Sequence, residues 1–308
     1  MKTLVGITAY GGLPFLKLTL DANKATITKP NTHVAVVVAK PNDVDMLAYL
    51  RERGDVIIIE NNWNKGFSGS MNDLYDFAFV NGDFDALIIQ GNDVIPYPKA
   101  IDALIECAET TDQEWVCSMQ YDSKTLVREY PEVKKWFAGP NLVFSDFSAR
   151  PFDVLLNRVA EIKPEIGENS KCDVRNLCLF KRSVFDSIGY ADANFWPNAY
   201  FEDCDYCRRG DLAILKGCAV KHSVYFHWWS RTIHQGAKRD NDRFFRQNES
   251  YYETKWGGLV GREKYAVPFN GGEVPLADGL IATPALKISS RANESAAIAF
   301  WSSDAARC

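Results

Sequence analysis

Ala86-Leu87-Ile88-Ile89-Gln90-Gly91-Asn92-Asp93-Val94 is the stretch that decides how this chain folds. Its apolar run is unbroken from Ala86 to Ile89 and ends in Gln90, Gly91, Asn92 and Asp93. A strand without polar alternation is covered on both faces, as the strands of parallel sheets are. Working outward, strand-like runs at Thr3 to Thr8, His33 to Ala39, Asp55 to Glu60 and Trp115 to Ser118 flank it. Helix-like stretches at Pro14 to Ala25, Asp43 to Arg53, Ser68 to Val80 and Pro98 to Ala108 separate them. In the third of these, Met71, Leu74, Tyr75 and Ala78 recur at helical spacing, with Ser68 as the expected N-cap. Strand and helix alternating through short loops predict an α/β fold: a mainly parallel sheet flanked by helices. Ligands of such sheets bind beyond the carboxyl ends of the strands, which is where Asp93 falls.

Composition narrows the function. With 308 residues and 46% hydrophobic content, the chain has enough apolar material for one large α/β domain or two small ones. A net charge of -5 gives no global attraction to a polyanion, so nucleic acid is a minority reading. The longest apolar runs, such as Val34 to Ala39 and Val56 to Ile59, are strand-length, and no transmembrane segment is expected. Gly11-Gly12 and Pro14 interrupt the first apolar run before a signal-peptide core forms. Eight cysteines in such a chain read as reduced, buried thiols, and the expected location is the cytoplasm.

The second half is less regular. Gln120 to Lys171 mixes aromatics, Pro and charge, including Trp136 and Phe137. Order returns with a strand at Arg175 to Arg182, a short helix ending near Gly189, a strand at Cys218 to Phe226 and a polar helix through Arg243 to Lys255. From Gly271 the chain turns to Gly, Ala and Ser and reads as a loosely attached tail.

Four segments carry chemistry. Asn64-Lys65-Gly66-Phe67-Ser68-Gly69-Ser70-Met71-Asn72 opens a helix with small residues that let a ligand approach its N-terminus, although the spacing is neither that of a dinucleotide fingerprint nor that of a P-loop. Asp93 offers the oxygen ligand that Mg²⁺ or Mn²⁺ prefers. Glu202-Asp203-Cys204-Asp205 packs three carboxylates among aromatics, where repulsion and desolvation favour a general base. The competing reading is a helix N-terminus whose carboxylates complement the dipole and pair with Arg208 and Arg209. On the late strand, alternation puts His222 with Val220, Val224 and Phe226 as a core histidine, and His227 on the other face with Ser223 and Tyr225 as a metal ligand. The Cys204 and Cys207 pair has no second pair at zinc-site spacing.

Taken in order, these segments resemble an inverting glycosyltransferase of family 2 with the GT-A fold, a nucleotide-sugar enzyme with bacterial and phage-type members. The likeness lies in Asn64-Lys65-Gly66-Phe67 with Asn72, in Ile88 to Val94 as a strand ending in a D-x-D, in Phe201 to Asp205 with Arg208 as an E-D-x-D-x-x-x-R, and in His227-Trp228-Trp229-Ser230-Arg231-Thr232. It spans roughly residues 1 to 270, with a nucleotide-binding half at 1–118, an acceptor-binding and catalytic half at 119–270, and a tail at 271–308. The resemblance implies Asp203 as general base with Glu202 beside it, Asp93 and His227 as ligands of Mn²⁺ or Mg²⁺, and a donor pocket of Thr8, Ala9, Tyr10, Asp43, Asn64, Lys65, Gly66, Asn92 and Asp93. Trp136, Phe137, Trp228 and Trp229 would face the acceptor. The implied donor is a nucleoside-diphosphate sugar, UDP-sugars first, and the acceptor a hydroxyl of a glycan, a lipid-linked sugar, a protein or modified DNA. Gly91 stands where the family's first Asp is expected, which keeps open a sugar-nucleotide- or glycan-binding module without catalysis; a second alternative is a nucleotidyltransferase-like enzyme using the same sheet.

Overall fold

The computed structural model describes residues 1–121, 176–196, 199–227 and 238–272. Strands β1 (Thr3–Ala9), β2 (Thr32–Val38), β3 (Ile57–Glu60) and β4 (Ala86–Gly91) alternate with helices α1 (Leu13–Thr26), α2 (Val44–Arg53) and α3 (Gly66–Tyr75), the last continued by a π-helical turn over Asp76–Val80. Strand β5 (Val94–Pro96), helix α4 (Ala100–Thr110) and strand β6 (Trp115–Tyr121) follow. The later block holds β7 (Leu177–Lys181), α5 (Arg182–Ile188), α6 (Glu202–Leu212), β8 (Gly217–His227) and α7 (Lys238–Trp256), and a 3₁₀ turn at Pro268–Gly271. The expected tail and the Gln120 to Lys171 segment lie almost wholly outside the described residues.

The eight strands form one sheet in the order β3-β2-β1-β4-β7-β6-β8-β5. Strands β1 to β4 run parallel, as the alternation predicts. Strand β7 then enters antiparallel between β4 and β6, so β6 is not the direct neighbour of β4. Because β6 and β8 are parallel to each other and antiparallel to β7, they point the same way as β1 to β4. The carboxyl ends of six strands therefore meet at one edge of the sheet.

Side chains of β4 show why the run at 86–89 has no polar alternation. Leu87 and Ile89 enter the core with Leu74, Tyr75, Phe180 and Tyr206 on one face, while Ile88 packs with Ile101, Leu104 and Tyr225 on the other. Each such burial stabilises by about 1.5–3 kcal/mol. Gly6 lets α3 lie close on β1, since a Cβ there would sit 2.6 Å from the Leu74 methyls. Helix α2 is capped at both ends, with Asp43 Oδ1 accepting from Met46 N at 3.3 Å and Gly54 closing it at φ 70°. Helix α3 departs from expectation. It begins two residues before Ser68, which is buried inside the first turn, and Asn64 Oδ1 takes the Gly66 N–H at 2.9 Å.

Candidate active site

Beyond β4, the Asn92-Asp93 turn leads into β5, which pairs antiparallel with the end of β8 and sets Val94 opposite His227. That pairing brings His227 Nε2 to 3.3 Å from Asp93 Oδ1, with both side chains mostly covered. Asn176, just before β7, completes the corner: its amide lies 3.2 Å from His227 Nδ1, and its carbonyl accepts from Gly91 N at 3.1 Å. A Cβ built on Gly91 would lie 3.2 Å from Asp93 Oδ1 and 3.9 Å from Asn176 Oδ1, so position 91 also faces this corner. Sequence reasoning misses Asn176, because only the insertion of β7 beside β4 carries it here.

The corner suits a hard divalent ion. Ligands at about 2.1 Å in octahedral coordination stand about 3 Å apart at neighbouring positions, close to the observed separation. Asp93 would offer such an ion an oxygen and His227 an imidazole nitrogen. Among the described residues no third His, Cys, Asp or Glu joins them.

Other expected donor residues gather along the same edge. Thr8 and Ala9 end β1, Tyr10 follows them with 40% of its surface exposed, and Asp43 lies beyond β2 with its carboxylate used as a cap. In the loop after β3, Gly66 has φ 69°, a conformation that favours glycine, and Lys65 Nζ is held 2.6 Å from Asp73 Oδ1. Trp196 Nε1 donates to Asn64 O at 2.8 Å, tying this loop to the later half of the chain. Asn72 does the same deeper in, its amide exchanging bonds of 2.8 and 2.9 Å with the Ala191 backbone. Asn92 is buried and donates to Gly11 O at 3.0 Å, so it braces the turn that presents Asp93.

The acidic cluster opens α6. That helix leads through a short turn to the start of β8, the strand that ends at His227. The three carboxylates have distinct settings. Asp205 is fully buried and accepts from Arg209 Nε at 3.1 Å and Trp256 Nε1 at 2.9 Å, with Lys255 Nζ at 2.6 Å. Glu202 is buried at the first helical position, whereas Asp203 is half-buried, with Oδ1 accepting from Cys204 N at 2.8 Å. The arginine of the E-D-x-D-x-x-x-R pattern is Arg209 rather than Arg208, because the spacing of four from Asp205 closes an i,i+4 pair. Arg208 instead donates to Tyr265 O at 3.0 Å and lies over the Trp256 ring.

One expectation about β8 fails. His222 is half-buried rather than a fully buried core histidine. The register with β6 jumps from Ser118↔Val220 to Met119↔Val224, so a bulge interrupts the alternation and leaves His222 half-buried. Past the bulge His227 does share a parity with Tyr225, as expected. The proposed acceptor residues Trp136, Phe137, Trp228 and Trp229 lie outside the described residues.

A parallel half-sheet extended through an antiparallel strand and flanked by helices is the architecture of the GT-A fold. The family model described as glycosyl transferase family 2 matches residues 4–189, and the chain belongs to that family. Among solved structures it is similar to residues 1–349 of S. aureus TarS, with 10% identity over 80% of this chain and 70% of that one and a TM-score of 0.50. The same TarS fragment in complex with UDP gives 11% identity over 82% and 72% of the two chains at a TM-score of 0.49. The mannosyltransferase PcManGT from Pyrobaculum calidifontis, in complex with GDP-Man and Mn²⁺, gives 12% identity over 81% and 69% at 0.47. No curated protein matches the chain. No helix among the described residues is long and apolar enough to cross a membrane.

Proposed function

We propose that this glycosyltransferase moves a sugar from a nucleoside-diphosphate donor, UDP-sugars first, to an acceptor hydroxyl with inversion at the anomeric carbon. The observation that carries the reading is the Asp93–His227 corner, 3.3 Å across, standing at the edge where the carboxyl ends of six strands meet. Asp93 and His227 are suited to hold Mn²⁺ or Mg²⁺, which when bound neutralises charge developing on the leaving diphosphate. Thr8, Ala9, Tyr10, Asp43 and the 64–66 loop orient the nucleotide, and Asn92 and Asn176 keep Asp93 and His227 in place. Asp203 accepts the proton of the acceptor hydroxyl as its oxygen bonds to the anomeric carbon and the sugar's bond to the diphosphate breaks. Glu202 lines the acceptor side.

Support for Asp203 over its neighbours comes from burial: Asp205 is engaged by three cationic or N–H donors, whereas Asp203 is half-buried. The test is a thermal-shift panel of nucleotide sugars with and without Mn²⁺, since a ligand of the folded state raises the melting temperature. Hits are then assayed for release of nucleoside diphosphate, and the anomeric configuration of the product is read by NMR. Binding without turnover would replace this reading by the sugar-nucleotide-binding module, and pyrophosphate released from a triphosphate by a nucleotidyltransferase.

A further inference from the structure

The chain enters α6 through two bulky residues in the left-handed region, Tyr200 at φ 116° and Phe201 at φ 68°. Each such residue costs on the order of 1–3 kcal/mol and persists only where its surroundings over-determine it. Here the surroundings are one face of α7. The Phe245 ring lies 5.2 Å from both Tyr200 and Phe201, and the Tyr252 ring 5.7 Å from Phe201. Between them Asn248, fully buried, donates from Nδ2 to Tyr200 O at 3.3 Å.

One turn further along, the same face of α7 grips the other side of the acidic cluster. Lys255, fully buried, places Nζ 2.6 Å from Asp205 Oδ1 and 2.6 Å from Asp192 Oδ2, and Trp256 donates to Asp205 as described above. Two cations, Lys255 and Arg209, thus face two buried carboxylates, Asp205 and Asp192. Burial opposes the charge on Asp192, but the Lys255 ammonium and the Tyr251 and Asn194 donors hold its carboxyl down to about 2. Phe245, Asn248, Tyr252, Lys255 and Trp256 recur at helical spacing, so a single rigid element fixes the backbone before and after Asp203.

We propose that α7 is the positioning element for the catalytic base, with Lys255 as its principal positioning residue acting through Asp205. The proposal rests on the assignment of Asp203 as base. It separates the roles of the two Asp residues of the cluster, since Asp205 anchors the helix while Asp203 works on the acceptor. The donor corner stands on the turn after β4 and the end of β8 rather than on α7, so loosening α7 alters base placement and leaves donor binding intact.

The experiment compares wild type, Lys255→Met, Lys255→Arg and Phe245→Leu in the full chain, using amide hydrogen exchange over 200–206, donor affinity and steady-state transfer. Phe245 is 40% exposed, so its variant stays folded if the buried-charge variant does not. Exchange should rise over 200–206 in Phe245→Leu and Lys255→Met before it rises in β1 to β4. A misplacement of about 1 Å costs on the order of a hundredfold in rate, so kcat should fall by up to that in Lys255→Met, partly recover in Lys255→Arg, and fall about tenfold in Phe245→Leu, with donor affinity unchanged. Unchanged exchange over 200–206 in both Phe245→Leu and Lys255→Met, or exchange rising uniformly across the sheet, would overturn the positioning role. If wild type binds donors but transfers nothing, the assignment of Asp203 fails, and the exchange data alone still decide whether α7 holds this segment.

Discussion

Replacing Gly91 by Asp restores the missing carboxylate of the D-x-D and tests whether the Asp93–His227 corner is a cation site. The backbone permits it, because Gly91 is not among the residues with positive φ. A Cβ at 91 meets Val94 Cγ2 at 3.1 Å and Asp93 Oδ1 at 3.2 Å, so both must give by a few tenths of an ångström. The new carboxylate then stands about 5 Å from that of Asp93, and at an effective dielectric of about 20 their repulsion is about 3 kcal/mol. Gly91→Asn carries the same bulk without the charge, so the difference between the two variants isolates the electrostatic effect. Without metal, Gly91→Asp should melt about 6–12 °C below Gly91→Asn, since about 2–4 °C accompanies each kcal/mol in a domain of this size. Mn²⁺ should erase that gap, because a cation between the carboxylates replaces repulsion by attraction. Its affinity for Gly91→Asp should exceed that for Gly91→Asn about a hundredfold, the same energy read as binding. Differential scanning fluorimetry and calorimetric Mn²⁺ titration measure both quantities. A gap that persists in saturating Mn²⁺, or no metal response in either variant, would refute the corner as a metal site.

Three further outcomes are expected. Asp203→Asn should keep donor affinity and lower turnover by about a hundredfold or more, measured as released nucleoside diphosphate against donor titration; normal turnover removes Asp203 from the base role. Asp93→Ala and His227→Ala should each weaken Mn²⁺-dependent donor binding, whereas His222→Ala, half-buried at the β8 bulge, should leave it unchanged; the reverse pattern would show the bulge misassigned. Burial pushes the Asp211 carboxyl up to about 6, partly opposed by Arg208 and reinforced by Glu263. The folded state then binds the proton more tightly than the unfolded chain, so wild-type stability contributed by this group falls as pH rises from about 4 to about 6. Asp211→Asn should therefore gain melting temperature over wild type at pH 8 and lose that advantage as pH falls through this window.

Residue patterns alone were enough for the first half of the fold and for the place of Asp93 beyond a strand end. The run at 86–89 and the alternation around it are local patterns, and a strand that must be apolar on both faces has few places to go, so β1 to β4 and the position of Asp93 at a strand end followed from residues alone. The order of four short segments, each weak by itself, was enough to place the chain in its family. What periodicity did not carry was the choice of partners across long stretches of chain. Strand β7 displaces β6 from β4 and delivers Asn176, and β5 turns back on β8 so that Asp93 meets His227. The register shift at Ser118/Met119 breaks the alternation of β8 on which the expected core setting of His222 rested, and leaves that residue half-buried. Likewise spacing and composition treat the three carboxylates of α6 alike, and only the family resemblance set Asp203 apart; the packing of α7 is what buries Asp205 against Lys255 and Trp256 while Asp203 stays half-buried. Local spacing fixes which way a side chain leaves its own strand or helix; which distant charge it meets depends on contacts that form only when the whole sheet closes.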